Sequence, residues 1–275
     1  MTFNRFSQST SRRAVLALVL LASLLMGSCK YVRYIKQLDP TMAGTKPVDH
    51  VPYDALLKKH VDAQGMVNYR AFLADSTALG TYLTTVSNNL PNEQWNKDDQ
   101  LAYWINAYNA FTIQRVLRGY PVKSIRQLGG DKTLVNTVWD QQFIRLGNDK
   151  DKYSLNDLEQ RLIRRKFSGE YRIHFALVCA AISCPKLRNE AYTGSRLQEQ
   201  LDDQARDFIN NPNKNKLTPA NAPQVSSIFD FYPGDFKKDD NTLSKTINKY
   251  SAGPKVDAEI QPTFMTYNWD LNEQK

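Results

Sequence analysis

Apolar residues dominate one run, Ala14 to Met26 (AVLALVLLASLLM), and beyond it they fall into periodic patterns. Thirteen residues are too few to cross a hydrocarbon core that needs roughly 20, and they suit the apolar region of a secretory signal. Further along, Asp54 to His60 reads as a short helix, Val67-Asn68-Tyr69 as a link after a Gln64-Gly65 turn, and Phe72 to Val86 as helical. The strongest pattern is Asp98 to Arg118, with acids at its start, an arginine at its end and Gly119-Tyr120-Pro121 as the stop. Apolar groups lie nearly all round that helix, which predicts a central, buried element.

Val138 to Leu146 alternates like a strand, and Gly147-Asn148-Asp149 would turn it back towards Lys152-Tyr153. Ser154 to Lys166 opens with Ser154-x-x-Asp157, a weaker form of the capping box, and carries Leu155, Leu158, Leu162 and Ile163 at helical spacing. Tyr171 to Cys179 is apolar enough for a buried strand or helix, and Leu197 to Ile209 is helical. Val225 to Phe229 gives a short strand, followed by a turn at Tyr232 to Phe236, and Phe264 to Trp269 another strand. Helices and strands mix without regular alternation. The expected fold class is therefore α+β: a single domain with a central buried helix packed on a small, mostly antiparallel sheet.

The amino terminus changes the picture of where this domain works. Arg5, Arg12 and Arg13 precede the apolar run, and Gly27-Ser28-Cys29 follows it. Small residues before a cysteine are what lipoprotein processing requires, so residues 1–28 read as a signal peptide and Cys29 as the lipidated (palmitate-bearing) residue. Residues 29–46 then form a tether and residues 47–275 the globular domain. Acyl chains on Cys29 would hold the protein to a membrane firmly, at about 0.8 kcal/mol per buried methylene. The expected location is the cell envelope, at the periplasmic face or the cell surface.

About 230 residues remain for folding, enough for one substantial core. The formal charge of +8 includes the three signal arginines, leaving +5 beyond them. That charge is scattered over Lys58-Lys59, Arg161 to Lys166 and Lys237-Lys238, with no aromatic-interleaved basic stripe. Solvated helix faces account for it, and no nucleic-acid partner is expected.

Candidate chemistry lies in three places. Asn106 and Asn109 are three apart, on one face of the central helix. A buried amide left unpaired costs on the order of 1–3 kcal/mol, so each must find backbone, a side chain or a ligand. Glu159 sits on the apolar stripe of its helix, where a carboxylate must snorkel, pair with an arginine or serve as a functional acid. His174, Cys179 and Cys184 form the densest reactive cluster. In a strand His174 and Cys179 would point to opposite faces, and Cys184 precedes Pro185, which favours extended backbone.

The two cysteines admit four readings. An oxidising compartment favours a loop-closing disulfide, which needs a bend at Ala181 to Ser183. Inert buried thiols are the second reading, and a nucleophilic Cys184 with His174 as base the third. A metal site is the fourth, but His-x4-Cys-x4-Cys lacks CxxC pairs and a fourth ligand, so no metal or cofactor is expected.

Five stretches, AYWINAYNAFTI (102–113), SLNDLEQRLIRRKF (154–167), IHFALVCAAISCPKLRNEAY (173–192), VSSIFDFYPGDF (225–236) and TYNWDLN (266–272), resemble the family catalogued as domain of unknown function 547. The resemblance marks Asn106, Asn109, Glu159, His174, Cys179, Cys184 and Pro185 as motif positions without giving them roles. The helix ending in Leu117 to Pro121 is also similar to the core helix of transglutaminase-like and papain-like thiol enzymes, although no cysteine lies between Gln94 and Arg118. Two expectations follow. One is a thiol-dependent or degenerate hydrolase or acyltransferase acting on an amide-containing envelope substrate, such as peptide or peptidoglycan. There Cys184 attacks, His174 is the base, and Glu159 or Asn106 orients. The other is a non-catalytic module binding a ligand or partner, with Asn109, Trp104, Tyr108 and Trp269 lining a groove.

Overall fold

The computed structural model describes residues 46–130, 137–237, 242–253, 255–257 and 259–275, all within one compact unit, Pro40–Lys275. The expected signal peptide, Cys29 and nearly all of the tether lie outside the described residues.

Helices α1 (Val51–His60), α2 (Tyr69–Phe72), α3 (Ser76–Asn88) and α4 (Lys97–Leu117) come first. A wide-turned helical stretch, Asp157–Ile163, then runs into the short α5 (Arg164–Lys166), and a 3-10 turn covers Tyr171–Phe175. Next come α6 (Leu197–Asn210), β1 (Gln224–Ser226), α7 (Ile228–Phe231), α8 (Pro233–Phe236), α9 (Leu243–Tyr250) and β2 (Thr263–Met265).

Helix α4 is the axis of the fold. Asn96 caps its start by accepting from the Asp99 backbone N–H at 2.7 Å, and Asp98 and Asp99 place negative charge in its first turn. Every residue from Gln100 to Ile113 is buried. It packs against α3, α6 and the Asp157–Ile163 stretch. On the far side of α6 lies an aromatic core in which Phe175, Phe208, Phe229 and Phe236 meet Ile247 and Tyr250 of α9. Among the described residues no helix is long and apolar enough to cross a membrane.

The central buried helix is as expected, and the sheet is not. Among the described residues it has two strands of three residues each, and β1 pairs with β2 in parallel, not antiparallel. Among the same described residues, antiparallel pairing survives only as isolated bridges, among them Ile144 with Tyr153 and Ala181 with Leu271. The expected strand from Val138 to Leu146 is displaced by a 3-10 turn at Val138–Asp140. There the Asp140 carboxylate accepts from the Thr137 backbone N–H at 3.1 Å and from its hydroxyl at 2.7 Å. Such local side-chain bonds compete directly with a strand ladder.

The Tyr171 to Cys179 segment is likewise neither strand nor long helix, since its 3-10 turn gives way to irregular backbone after Phe175. The helix expected from Phe72 begins in earnest at Ser76, after α2 and a 3-10 turn. Helix α9 was not foreseen, although Leu243, Ile247 and Tyr250 follow a helical repeat behind a Thr242 cap. The Gln64-Gly65 turn is present. Gly65 has φ +80°, and a Cβ there would lie 2.5 Å from the Lys186 side chain. Only glycine fits both demands.

Irregular buried backbone must still satisfy its polar groups, and here buried amides do so. Asn106 donates to the Tyr192 carbonyl at 2.8 Å and accepts from the Tyr192 N–H at 2.9 Å. Asn109 donates to the Ala176 carbonyl at 3.0 Å and accepts from the Val178 N–H at 2.9 Å. From α6, Gln204 donates to the carbonyls of Phe175 and Lys186, both at 2.9 Å. Gln200 donates to the Ala191 carbonyl at 2.9 Å and accepts from the Thr193 N–H at 3.0 Å.

Replacing Asn109 with alanine strands one buried carbonyl and one buried N–H. The expected loss is about 2–4 kcal/mol of unfolding free energy, read from urea denaturation. A loss below about 1 kcal/mol would mean that water replaces the amide at no cost.

Candidate functional site

The segment held by these amides forms one wall of a cavity of about 220 Å³. Glu159, His174, Cys179, Cys184 and Tyr108 all line it, together with Trp139, Phe231, Tyr232, Tyr267 and Trp269. His174 and Cys179, which a continuous strand would have sent to opposite faces, therefore share one cleft. The turn at Tyr171–Phe175 and the irregular backbone after it change the facing. Asn106, Asn109 and Trp104 do not line this cavity. Both asparagines are committed to backbone, and Trp104 is buried with its ring edge against Tyr103.

Glu159 reaches the cleft through the geometry of its helix. Ser154 and Asp157 form the expected box, with Ser154 N–H to Asp157 at 2.9 Å and Asp157 N–H to the Ser154 hydroxyl at 3.0 Å. The chain then widens from Asp157 to Ile163, and the Arg164 N–H bonds back five residues to the Glu159 carbonyl. Such widened turns cluster at functional sites. The expected arginine partner is replaced by phenols. The Tyr232 hydroxyl donates to the Glu159 carboxylate at 2.6 Å, and the Tyr108 hydroxyl lies 3.3 Å from its other oxygen. Burial first, and the neighbouring carboxylate second, push both phenols well above the usual tyrosine range, so both remain donors.

On the other side of Tyr232 stands His174. Its ring stacks on Tyr232 at 4.0 Å, and its Nε2 lies 2.7 Å from Asp235. Arg164 grips the same carboxylate through two nitrogens, at 2.7 and 2.9 Å. Burial alone would raise the Asp235 pKa, but the bonds from His174 and Arg164 outweigh it and hold the carboxyl well below the usual range. The basic run Arg161 to Lys166 thus places Arg164 on Asp235 and Arg161 on Asp157 at 3.0 Å.

Cys179 and Cys184 are joined as a disulfide, with the expected bend between them closed by a Cys184 N–H to Ala181 carbonyl bond of 3.0 Å. Closing so short a loop stabilises by roughly 2 kcal/mol. Ala180 within it sits at φ +59°, a left-handed conformation that costs a non-glycine residue about 1–2 kcal/mol. The Tyr267 hydroxyl lies 3.1 Å from the Cys184 sulfur and 3.3 Å from the Cys179 sulfur.

Rings form a continuous rim, with Trp139 to Trp269 at 5.5 Å, Trp269 to Tyr267 at 4.5 Å and Tyr267 to Phe231 at 5.6 Å. Among the described residues no group of three or more His, Cys, Asp or Glu side chains is placed to hold a metal ion.

With that geometry in view, similarity to known families can be placed on it. Residues 92–209 match the family described as Protein of unknown function, DUF547. The matched region holds α4, Glu159, His174, Cys179, Cys184 and α6 up to Ile209, but it ends before Tyr232, Asp235 and Tyr267. No curated protein and no solved structure matches the chain. The matched residues therefore hold Glu159, His174 and both cysteines together with Tyr108, while Tyr232, Asp235 and Tyr267, which also bond to them, lie after the match. Asp235, Tyr232 and Tyr267 were not singled out from sequence as site residues. Their only signal was that they fall in the stretches VSSIFDFYPGDF and TYNWDLN.

Asp235→Asn should leave Arg164 and His174 without their carboxylate. Because the folded carboxyl titrates below its unfolded value, its contribution is present above about pH 4 and fades as pH falls through the folded value. Partly exposed as the group is, the expected loss at pH 7 is about 1–2 kcal/mol, shrinking as the pH falls below about 4. Urea melts of both proteins from pH 7 to pH 3 read this directly, and a pH-independent difference would contradict it.

Proposed function

We propose that this chain is an exported lipoprotein of the cell envelope whose cleft binds an amide-bearing, partly apolar ligand such as a peptide or peptidoglycan stem. The convergence of Glu159, His174 and an aromatic rim in one cavity carries this reading. Apolar walls with a few placed polar groups are the general composition of small-ligand sites. Here Glu159 can accept from a ligand N–H, His174 can exchange a hydrogen bond, and Trp269, Tyr267 and Phe231 offer flat apolar faces.

Binding is favoured over hydrolysis because both sulfurs are committed to each other. A disulfide holds no thiolate for attack on an amide. The hydrolase reading retains one specific support, since Cys184 and the Asp235-held His174 line the same cavity. It requires the reduced protein.

Trp139 and Trp269 give the test its signal. Titration with a stem tetrapeptide should change tryptophan emission with micromolar to millimolar affinity, and Glu159→Gln should weaken binding by about tenfold through one lost charged hydrogen bond. A free glycan without the peptide should give no response. Equal responses to both, or none to either, would remove the peptide-binding proposal.

The anchor has its own check. Cells fed labelled palmitate should label this protein, and Cys29→Ser should abolish the label. A labelled Cys29→Ser protein would place the lipid elsewhere.

A further inference from the structure

We propose that the Cys179–Cys184 disulfide is an exchange-active redox centre that takes two electrons from a dithiol, with Cys179 as the sulfur attacked and Cys184 as the leaving thiolate. The inference goes beyond ligand binding and does not depend on it.

Access distinguishes the two sulfurs. Cys184 is only 3% exposed, whereas Cys179 is partly buried, and both face the cavity. A thiol entering from the cleft therefore reaches Cys179 first. Leaving-group stabilisation points the same way. The Cys179 backbone N–H donates to the Cys184 sulfur alone, at 3.0 Å, and the Tyr267 hydroxyl donates to it at 3.1 Å while lying 3.3 Å from the Cys179 sulfur. Donors aimed at a sulfur favour its charged form, and a stabilised thiolate leaves faster. The half-buried Lys214 ammonium adds positive charge by bonding the carbonyls of Ile182 and Cys184. Burial, partly opposed by Asp207, lowers that lysine to about 8, so it stays mainly charged at neutral pH.

The loop also has a hold that does not pass through sulfur. The Ile182 N–H bonds the Asp270 carbonyl at 2.8 Å and the Ser183 N–H the Asn268 carbonyl at 3.1 Å. The Asn272 N–H bonds the Ala180 carbonyl at 3.2 Å, and the Asn268 N–H bonds the Ser183 hydroxyl at 2.8 Å. With Asn109 and Gln204 gripping the chain on either side of Cys179, opening the sulfur bridge leaves the backbone in place.

The chemistry balances without a further reactant. A thiolate of the dithiol attacks the Cys179 sulfur, forming a mixed disulfide and breaking the Cys179–Cys184 bond, whose electron pair goes to Cys184. The second thiol of the dithiol loses its proton and attacks its own sulfur in the mixed disulfide, releasing Cys179 as thiolate. The dithiol becomes a disulfide, and its two protons and two electrons end on Cys179 and Cys184. In reverse, reduced Cys179 attacks an external disulfide and Cys184 resolves it.

The full chain carrying Cys29→Ser has only these two cysteines and serves for the test. In dithiothreitol under native conditions, alkylation and intact mass should count two new thiols while far-UV circular dichroism stays constant. Tyr267→Phe should slow that reduction several-fold. Glutathione disulfide should load Cys184→Ser, through its free Cys179, about tenfold faster than Cys179→Ser.

Should either single-cysteine variant misfold, the parent protein decides. Brief exposure to glutathione and an acid quench should place the mixed disulfide on Cys179 in peptide mass spectra. Thiols that appear only as the chain unfolds, or glutathione found on Cys184, would overturn the proposal.

Discussion

Four buried amides, two on α4 and two on α6, hold the irregular backbone between Phe175 and Thr193, which carries both cysteines and follows directly on His174. A primary amide offers a carbonyl acceptor and two N–H donors, so one side chain can serve both polar groups of an extended segment, as a neighbouring strand would. Asn109 does this for Ala176 and Val178, and Asn106 for Tyr192. The fold can therefore bury a loop that belongs to no sheet, because the accounting of buried N–H and C=O groups is closed by helix side chains. A site carried on irregular backbone gains its precision from that hold, not from a regular element of its own.

The same constraint explains why the reactive groups share a cleft. His174 stands just before the stretch Asn109 grips and Cys179 just after it, so their relation is set by α4 and not by strand periodicity. Opposite them, the widened turn at Asp157–Ile163 sends Glu159 towards Tyr232 while Arg164, five residues on, reaches Asp235. Tyr232 stands between the two systems. It donates to Glu159, stacks on His174, and lies under the Arg164 guanidinium at 5.0 Å. The acid and the imidazole thus have separate partners across one ring.

How much of this was legible depended on whether the signal was local. Helix α4 was readable because first-turn acids, a terminal arginine with its Gly119-Tyr120-Pro121 stop and an all-round apolar surface act within its own residues. The Ser154–Asp157 box was readable for the same reason. The sheet was misread because alternation at Val138 to Leu146 looks the same whether or not a partner strand exists, and Asp140 found a local bond first. The burial of Glu159 and His174 among apolar residues could be read from their neighbours in sequence. Their partners Tyr232 and Asp235 could not, since contacts 73 and 61 residues away leave no periodic trace. Gln200 and Gln204 were passed over as ordinary helix residues, because a polar side chain facing inwards is recognised only when the loop it serves is in view.

The state of the two sulfurs decides which chemistry the cleft can perform, and it decides it in a fixed order. His174 is oriented by Asp235 and Asp235 is fixed by Arg164, which is the supporting arrangement a general base needs. Its natural substrate for deprotonation, a thiol in the same cavity, does not exist while Cys179 and Cys184 are joined. Attack on an amide by Cys184 must therefore follow reduction, and reduction proceeds through Cys179, the more accessible sulfur. Thiol–disulfide exchange is consequently prior to any nucleophilic role for Cys184. An oxidising compartment would keep the two sulfurs joined, and a dithiol would be needed before Cys184 could act as a nucleophile.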